Sequence, residues 1–72
     1  MRHMILFDLS IYSAPAIHES IMDFHDIATI KAEVQDNTCR CIILDSLYDT
    51  ELTEKEFENY VLDKTVSKER EG

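Results

Sequence analysis

One glycine, one proline, no tryptophan and two cysteines occur in these 72 residues, and acidic residues outnumber basic ones 15 to 7. Each shortage excludes something. The single glycine is residue 72, so no Gly-rich loop can cradle a phosphate and no nucleophile elbow can form. Scarce Gly and Pro beside 44% hydrophobic residues mark a folded chain and not a disordered one. Two cysteines cannot build a disulfide framework, and the Cys39-x-Cys41 spacing suits even one bridge poorly. Alternate residues of a strand lie about 6.5–7 Å apart at Cα, at or beyond the bridging limit. Reduced thiols in a cytoplasmic protein are the expectation. The formal charge of −8 repels phosphate backbones and anionic headgroups, so neither nucleic acid nor a membrane surface is expected as a partner. No apolar run approaches the ~18 residues of a membrane span. The N-terminal apolar stretch meets Asp8 too early to read as a signal peptide.

What is present is a hairpin. Thr29-Ile30-Lys31-Ala32-Glu33-Val34-Gln35 alternates polar and apolar residues with the period of a half-buried strand. Asp36-Asn37 supplies a two-residue turn, both residue types tolerating positive φ. Pairing outward from the turn sets Gln35 opposite Thr38, Val34 opposite Cys39, Ala32 opposite Cys41 and Ile30 opposite Ile43. Both cysteines then share the expected core face with Ile30, Ala32 and Val34. On the other face Glu33 meets Arg40, an opposite-charge pair in the same register.

Residues before and after the hairpin extend the pattern. Met4–Ser10 reads as a first strand, with Ile5, Phe7 and Leu9 alternating against Met4, Leu6 and Asp8. Ser13 is an N-cap and Pro15 falls in the first helical turn, where a missing amide costs nothing. The helix is expected to run to about Asp26 with Ile17, Ile21 and Phe24 as its buried stripe. A second helix is expected to open on a Thr53–Glu56 capping box, stapled by Leu52 and Phe57. Phe57 and Val61, with Leu62 and Val66, would form its apolar side. Residues 67–72 carry no apolar side chain and read as a solvated tail, leaving residues 1–66 as one domain.

The order β-α-β-β-α predicts an α+β fold: a three-stranded sheet with two helices on one face, like a ferredoxin-like fold lacking its last strand. An outermost strand would then offer an unpaired edge. The uncovered face would carry Met4, Leu6, Ile42 and Leu44, four apolar side chains that point to a buried contact with another molecule. A domain of this size has little stability of its own, and association is a common supplement. The expected protein is therefore a non-enzymatic interaction module with a protein or peptide partner, and a homo-oligomer, with the homodimer as its simplest form.

Chemical readings compete with this one. Cys39, Cys41, His18 and His25 could supply metal ligands, but the two histidines are seven residues apart on one helix, about 10 Å along its axis. Two thiols among aliphatic neighbours are expected to be inert packing atoms. A small metal-binding or redox protein using the Cys-x-Cys pair is the alternative class; neither a cofactor nor a catalytic residue is expected. An acidic inhibitor docking on a basic partner is a third class, with no specific residue behind it. His18, Met22 and His25 form a second helical stripe that reads as an exposed flank or as an interface rim. Tyr12 and Tyr48 could anchor either a loop or a partner.

Leu9-Ser10-Ile11-Tyr12-Ser13, Ala16-Ile17 and Phe24 followed by Asp26 resemble the first strand and helix of the small HxsD proteins of the His-Xaa-Ser system, found beside radical SAM maturases. Glu56-Phe57-Glu58-Asn59-Tyr60-Val61-Leu62-Asp63 is similar to that family's C-terminal segment. The family's Ala-Ala-Tyr run reads Glu19-Ser20-Ile21-Met22 here, and its C-terminal motif is broken by one residue. The resemblance implies an accessory component of a peptide-modification cluster, with the iron–sulfur chemistry held by the maturases and binding contributed by this chain.

Overall fold

The computed structural model describes residues 3–71, with the side chain of residue 71 outside the description. Residues 1, 2 and 72 of the expected domain and tail lie outside the described residues. The elements are β1 (His3–Asp8), α1 (Ala14–Asp23), β2 (Ala28–Gln35), β3 (Thr38–Ser46) and α2 (Thr50–Glu71). They form the expected α+β arrangement. One antiparallel sheet runs in the order β1-β3-β2, so the last strand made is the central one.

The hairpin register follows from the alternation. Ile30 pairs with Ile43, Ala32 with Cys41, Val34 with Cys39 and Gln35 with Thr38. Asp36 takes a φ of 57°, the left-handed conformation that the turn demands and that Asp tolerates. A bulge between Thr29 and Ile30 re-pairs Thr29 with Asp45, so Leu44 becomes the extra residue of β3. β1 joins the far side of β3, setting Phe7 against Cys39 and Ile5 against Cys41. The buried cluster takes Ile5, Phe7, Cys39, Cys41 and Ile43 from the sheet, with Ile17, Phe24, Phe57 and Val61 from the helices. Five rings run through it edge to face. Tyr12 meets Phe7 at 4.9 Å, Phe7 meets Phe57 at 6.0 Å, Phe57 meets Phe24 at 5.3 Å, and Phe24 meets Tyr60 at 5.2 Å. Tyr12 thus anchors its loop to the core.

Several boundaries differ from expectation for identifiable reasons. β1 stops at Asp8, whose carboxylate accepts from the Ser10 N–H (2.9 Å) and hydroxyl (2.6 Å) and turns the chain away. α1 opens as expected, Ser13 Oγ accepting from Ala16 N at 3.3 Å. It ends at Asp23 and not near Asp26, because Ile27 and Ala28 N–H both close onto Phe24 C=O at 2.8 Å and aim the chain into β2. Ala32 and Val34 lie on the core face but are exposed, Val34 at 64%. The helices cover β1 and β3 and fall short of the distal half of β2. The tail expected at 67–72 continues α2 as far as Glu71, its Ser67, Glu69 and Arg70 solvated and its Lys68 turned back to Glu19 at 2.5 Å.

The capping box at Thr53 does not form. Asp49 caps α2 instead, Oδ1 accepting from Glu51 N (2.9 Å) and Leu52 N (3.2 Å). Asp is as good a cap as Thr, and starting a turn earlier buries Thr53, whose hydroxyl lies 2.8 Å from that of Ser46. Leu52, expected to be a staple, is consequently exposed. Asp49→Ala should cost about 1 kcal/mol in urea denaturation, while Glu56→Ala stays within about 0.5 kcal/mol of the parent. Equal losses from both would restore the downstream cap.

Candidate functional site

The sheet face away from the helices has no covering element. Strand alternation puts Met4 and Leu6 of β1 there, beside Arg40, Ile42 and Leu44 of β3 and Lys31 and Glu33 of β2. Met4 pairs directly with Ile42, and Leu6 with Arg40. Leu6, Leu44 and Met4 are 61%, 60% and 48% exposed. Ile42 differs from the expectation of an open apolar side chain, being only 9% exposed. Its position on the central strand explains this, since Met4 and Lys31 flank it on the two sides. The stripe therefore consists of three open side chains around a filled centre.

Charged residues occupy the other half of the same face. Arg40 binds Glu33 as the hairpin register predicts, and Lys31 Nζ stands 3.5 Å from the same carboxylate. The Arg40 guanidinium, aided by Lys31, holds the Glu33 carboxyl below the usual carboxylate range. Beside this cluster lies a shallow depression of about 510 Å³ bordered by Leu6, Val34 and Arg40. The hairpin register expected from the sequence sets Glu33 against Arg40 on this face, as observed. What alternation alone does not show is that Met4 and Lys31 shield Ile42.

The cysteines occupy the opposite side of the sheet. Cys39 and Cys41 are buried, with Sγ atoms 3.9 Å apart. Burial first, and the neighbouring Cys39 second, push the Cys41 thiol up to about 12. At neutral pH such a thiol is neither a nucleophile nor a ready metal ligand. Among the described residues, no group of three His, Cys, Asp or Glu side chains converges where a metal ion could sit. His18, Met22 and His25 are all exposed. Tyr48 is exposed too, on the rim of an apolar notch of about 230 Å³ that also takes in Phe24, Ile27 and Leu52. No local sequence pattern marks that notch, since it forms only where the end of α1 meets the start of α2.

The polar cluster between the helices is structural. Tyr60 OH donates to Asp23 at 2.7 Å, and Lys64 Nζ reaches Asp23 at 3.0 Å and Glu19 at 3.5 Å. The Tyr60 hydroxyl, and then Lys64, hold Asp23 below the ordinary carboxylate range, while Lys68 does the same for Glu19. Asp23 in turn raises Tyr60 and Lys64. Each charge is partnered, so the cluster fastens α1 to α2. No helix among the described residues is long and apolar enough to cross a membrane. No protein-family profile, curated protein or solved structure matches the chain.

Proposed function

We propose that this chain is a small acidic, non-catalytic interaction module that self-associates and docks a protein or peptide through β1 and the adjoining apolar half of the open sheet face. One observation carries the reading: Met4, Leu6 and Leu44 stand exposed around Ile42 on a face with no helix over it, in a chain of net charge −8. Apolar side chains grouped on a surface otherwise crowded with carboxylates favour an apolar contact over a charged ligand. Two buried thiols fit a packing role in a reducing, cytoplasmic setting. The resemblance to HxsD proteins would make the partner a component of a peptide-maturation system, with the chemistry residing in that partner.

Leu6→Asp tests the surface. It places a carboxylate at an exposed strand position whose side chain the core does not use. Sedimentation equilibrium of the full chain is expected to give a dimer for the parent and a mass near the 8.4 kDa monomer for the variant, with the helical signal unchanged. A mass unaffected by the substitution would remove this surface from the proposal.

A further inference from the structure

The sheet has two outer strands, and they are protected unequally. β2 carries Lys31 and Glu33 along its exposed side, the charges that commonly deter edge-to-edge pairing. β1 carries no charge from Met4 to Phe7, and it has no proline and no bulge. Its backbone is free in a definite pattern. Leu9 N–H donates to Asn37 C=O at 2.9 Å, one step beyond the β1–β3 register. Antiparallel pairs alternate, so Phe7, Ile5 and His3 direct their N–H and C=O groups at β3. Met4, Leu6 and Asp8 direct theirs outward. Asp8 C=O already accepts from Ile11 N (3.0 Å) and Tyr12 N (2.9 Å). Among the described residues, Met4 and Leu6 make no backbone bond outside the sheet.

We infer that two copies of this chain join through β1, edge to edge and antiparallel, about a two-fold axis beside Ile5, so that two three-stranded sheets become one of six. The inference rests on the self-association proposed above and specifies its geometry. With the axis at Ile5, Met4 of one copy faces Leu6 of the other, twice. Each facing pair exchanges two N–H···O=C bonds, so the outward N–H and C=O groups of Met4 and Leu6 on both strands find partners. Facing residues share a sheet face, so Met4 lies against Leu6 on the open side and Ile5 against Ile5 on the helix side. Moving the axis to Leu6 fails on chemistry. It sets Met4 against Asp8, whose carbonyl is occupied and whose carboxylate would enter an apolar row.

The charge distribution also favours this edge as the place where two copies meet. Two bodies of −8 repel, and their closest approach is least costly where neither carries a charge, as at Met4–Phe7. In the joined sheet the stripes of Met4, Leu6, Ile42 and Leu44 merge into one band that crosses the axis. One short strand pair buries less than the ~1,200 Å² of a tight complex, so the association is weak and concentration-dependent.

Leu6→Pro tests the edge through its backbone, and Leu44→Asp tests the face without touching the edge. Leu6→Pro deletes an N–H that the fold does not use, on an edge strand, where proline is tolerated. Sedimentation equilibrium of the full chain is expected to show at least a tenfold weaker dimer for Leu6→Pro. Leu44→Asp, which alters the face but not the edge, should leave the dimer in place. Raising the salt concentration should tighten the parent dimer, because the two copies repel. Amide exchange on the unaltered protein gives an independent readout. Met4 and Leu6 N–H should be slowed in concentrated solution and released on dilution, while Ile5 and Phe7 stay protected at both. If Leu6→Asp dissociates the dimer but Leu6→Pro does not, self-association stands and edge pairing falls. A parent that stays monomeric, or Met4 and Leu6 amides that exchange at the same rate at every concentration, would also overturn it.

Discussion

Phe57→Ala should leave the chain unfolded at 25 °C. Phe57 is fully buried, edge to face with both Phe7 and Phe24, and so joins α2 to β1 and to the segment leaving α1. Removing a core Phe side chain costs about 3–5 kcal/mol through lost transfer energy and the cavity left behind. A single core in a domain below ~80 residues rarely supplies more than about 3–5 kcal/mol in total. The two quantities are comparable, so the variant has no margin. Circular dichroism should show loss of helix and a flat urea titration, whereas Phe57→Leu, which keeps most of the volume, should fold with a loss of about 1–1.5 kcal/mol. A cooperative transition in Phe57→Ala would place the centre of the core elsewhere.

The second large effect concerns the thiols. Cys39 and Cys41 lie between the sheet and the helices, and the Cys41 thiol is pushed up to about 12, so reagent can reach them only when the structure opens. Labelling under native conditions at about pH 8 should therefore be slower than in concentrated guanidinium by the fraction unfolded. For about 3–5 kcal/mol of stability that factor is roughly 10² to 10⁴. Phe57→Ala should abolish the difference, which ties the two experiments together. Rapid labelling of both thiols in the native protein would instead revive a metal or redox role for the pair.

The parts of the fold legible in the sequence were those set by local period and turn chemistry. Alternation from Ile30 to Gln35, with Asp36-Asn37 between the strands, specified the hairpin pairing residue by residue, and the inward direction of Cys39 and Cys41 followed from it. Burial was less legible, because it depends on how far another element reaches. Val34 has the right parity and stays exposed since no helix extends that far, and Ile42 has the outward parity yet is shielded by Met4 and Lys31. The start of α2 was a contest between two adequate caps, Asp49 and Thr53. Burial of Thr53 against Ser46, a tertiary fact, decided it. The open face was legible as a set of residues, but its division into an apolar half and an ion-paired half required the sheet order.

The order of synthesis acquires a consequence from where α1 finds its supports. Ser13 N–H, at the start of α1, donates to Thr65 Oγ1 at 3.2 Å, and Glu19 and Asp23 are held by Lys64 and Lys68. β1 is likewise bound to β3 and not to its nearer neighbour in sequence. Residues of β1 and α1 thus find most of their partners in β3 and α2, and they must wait uncommitted until those later segments have been made.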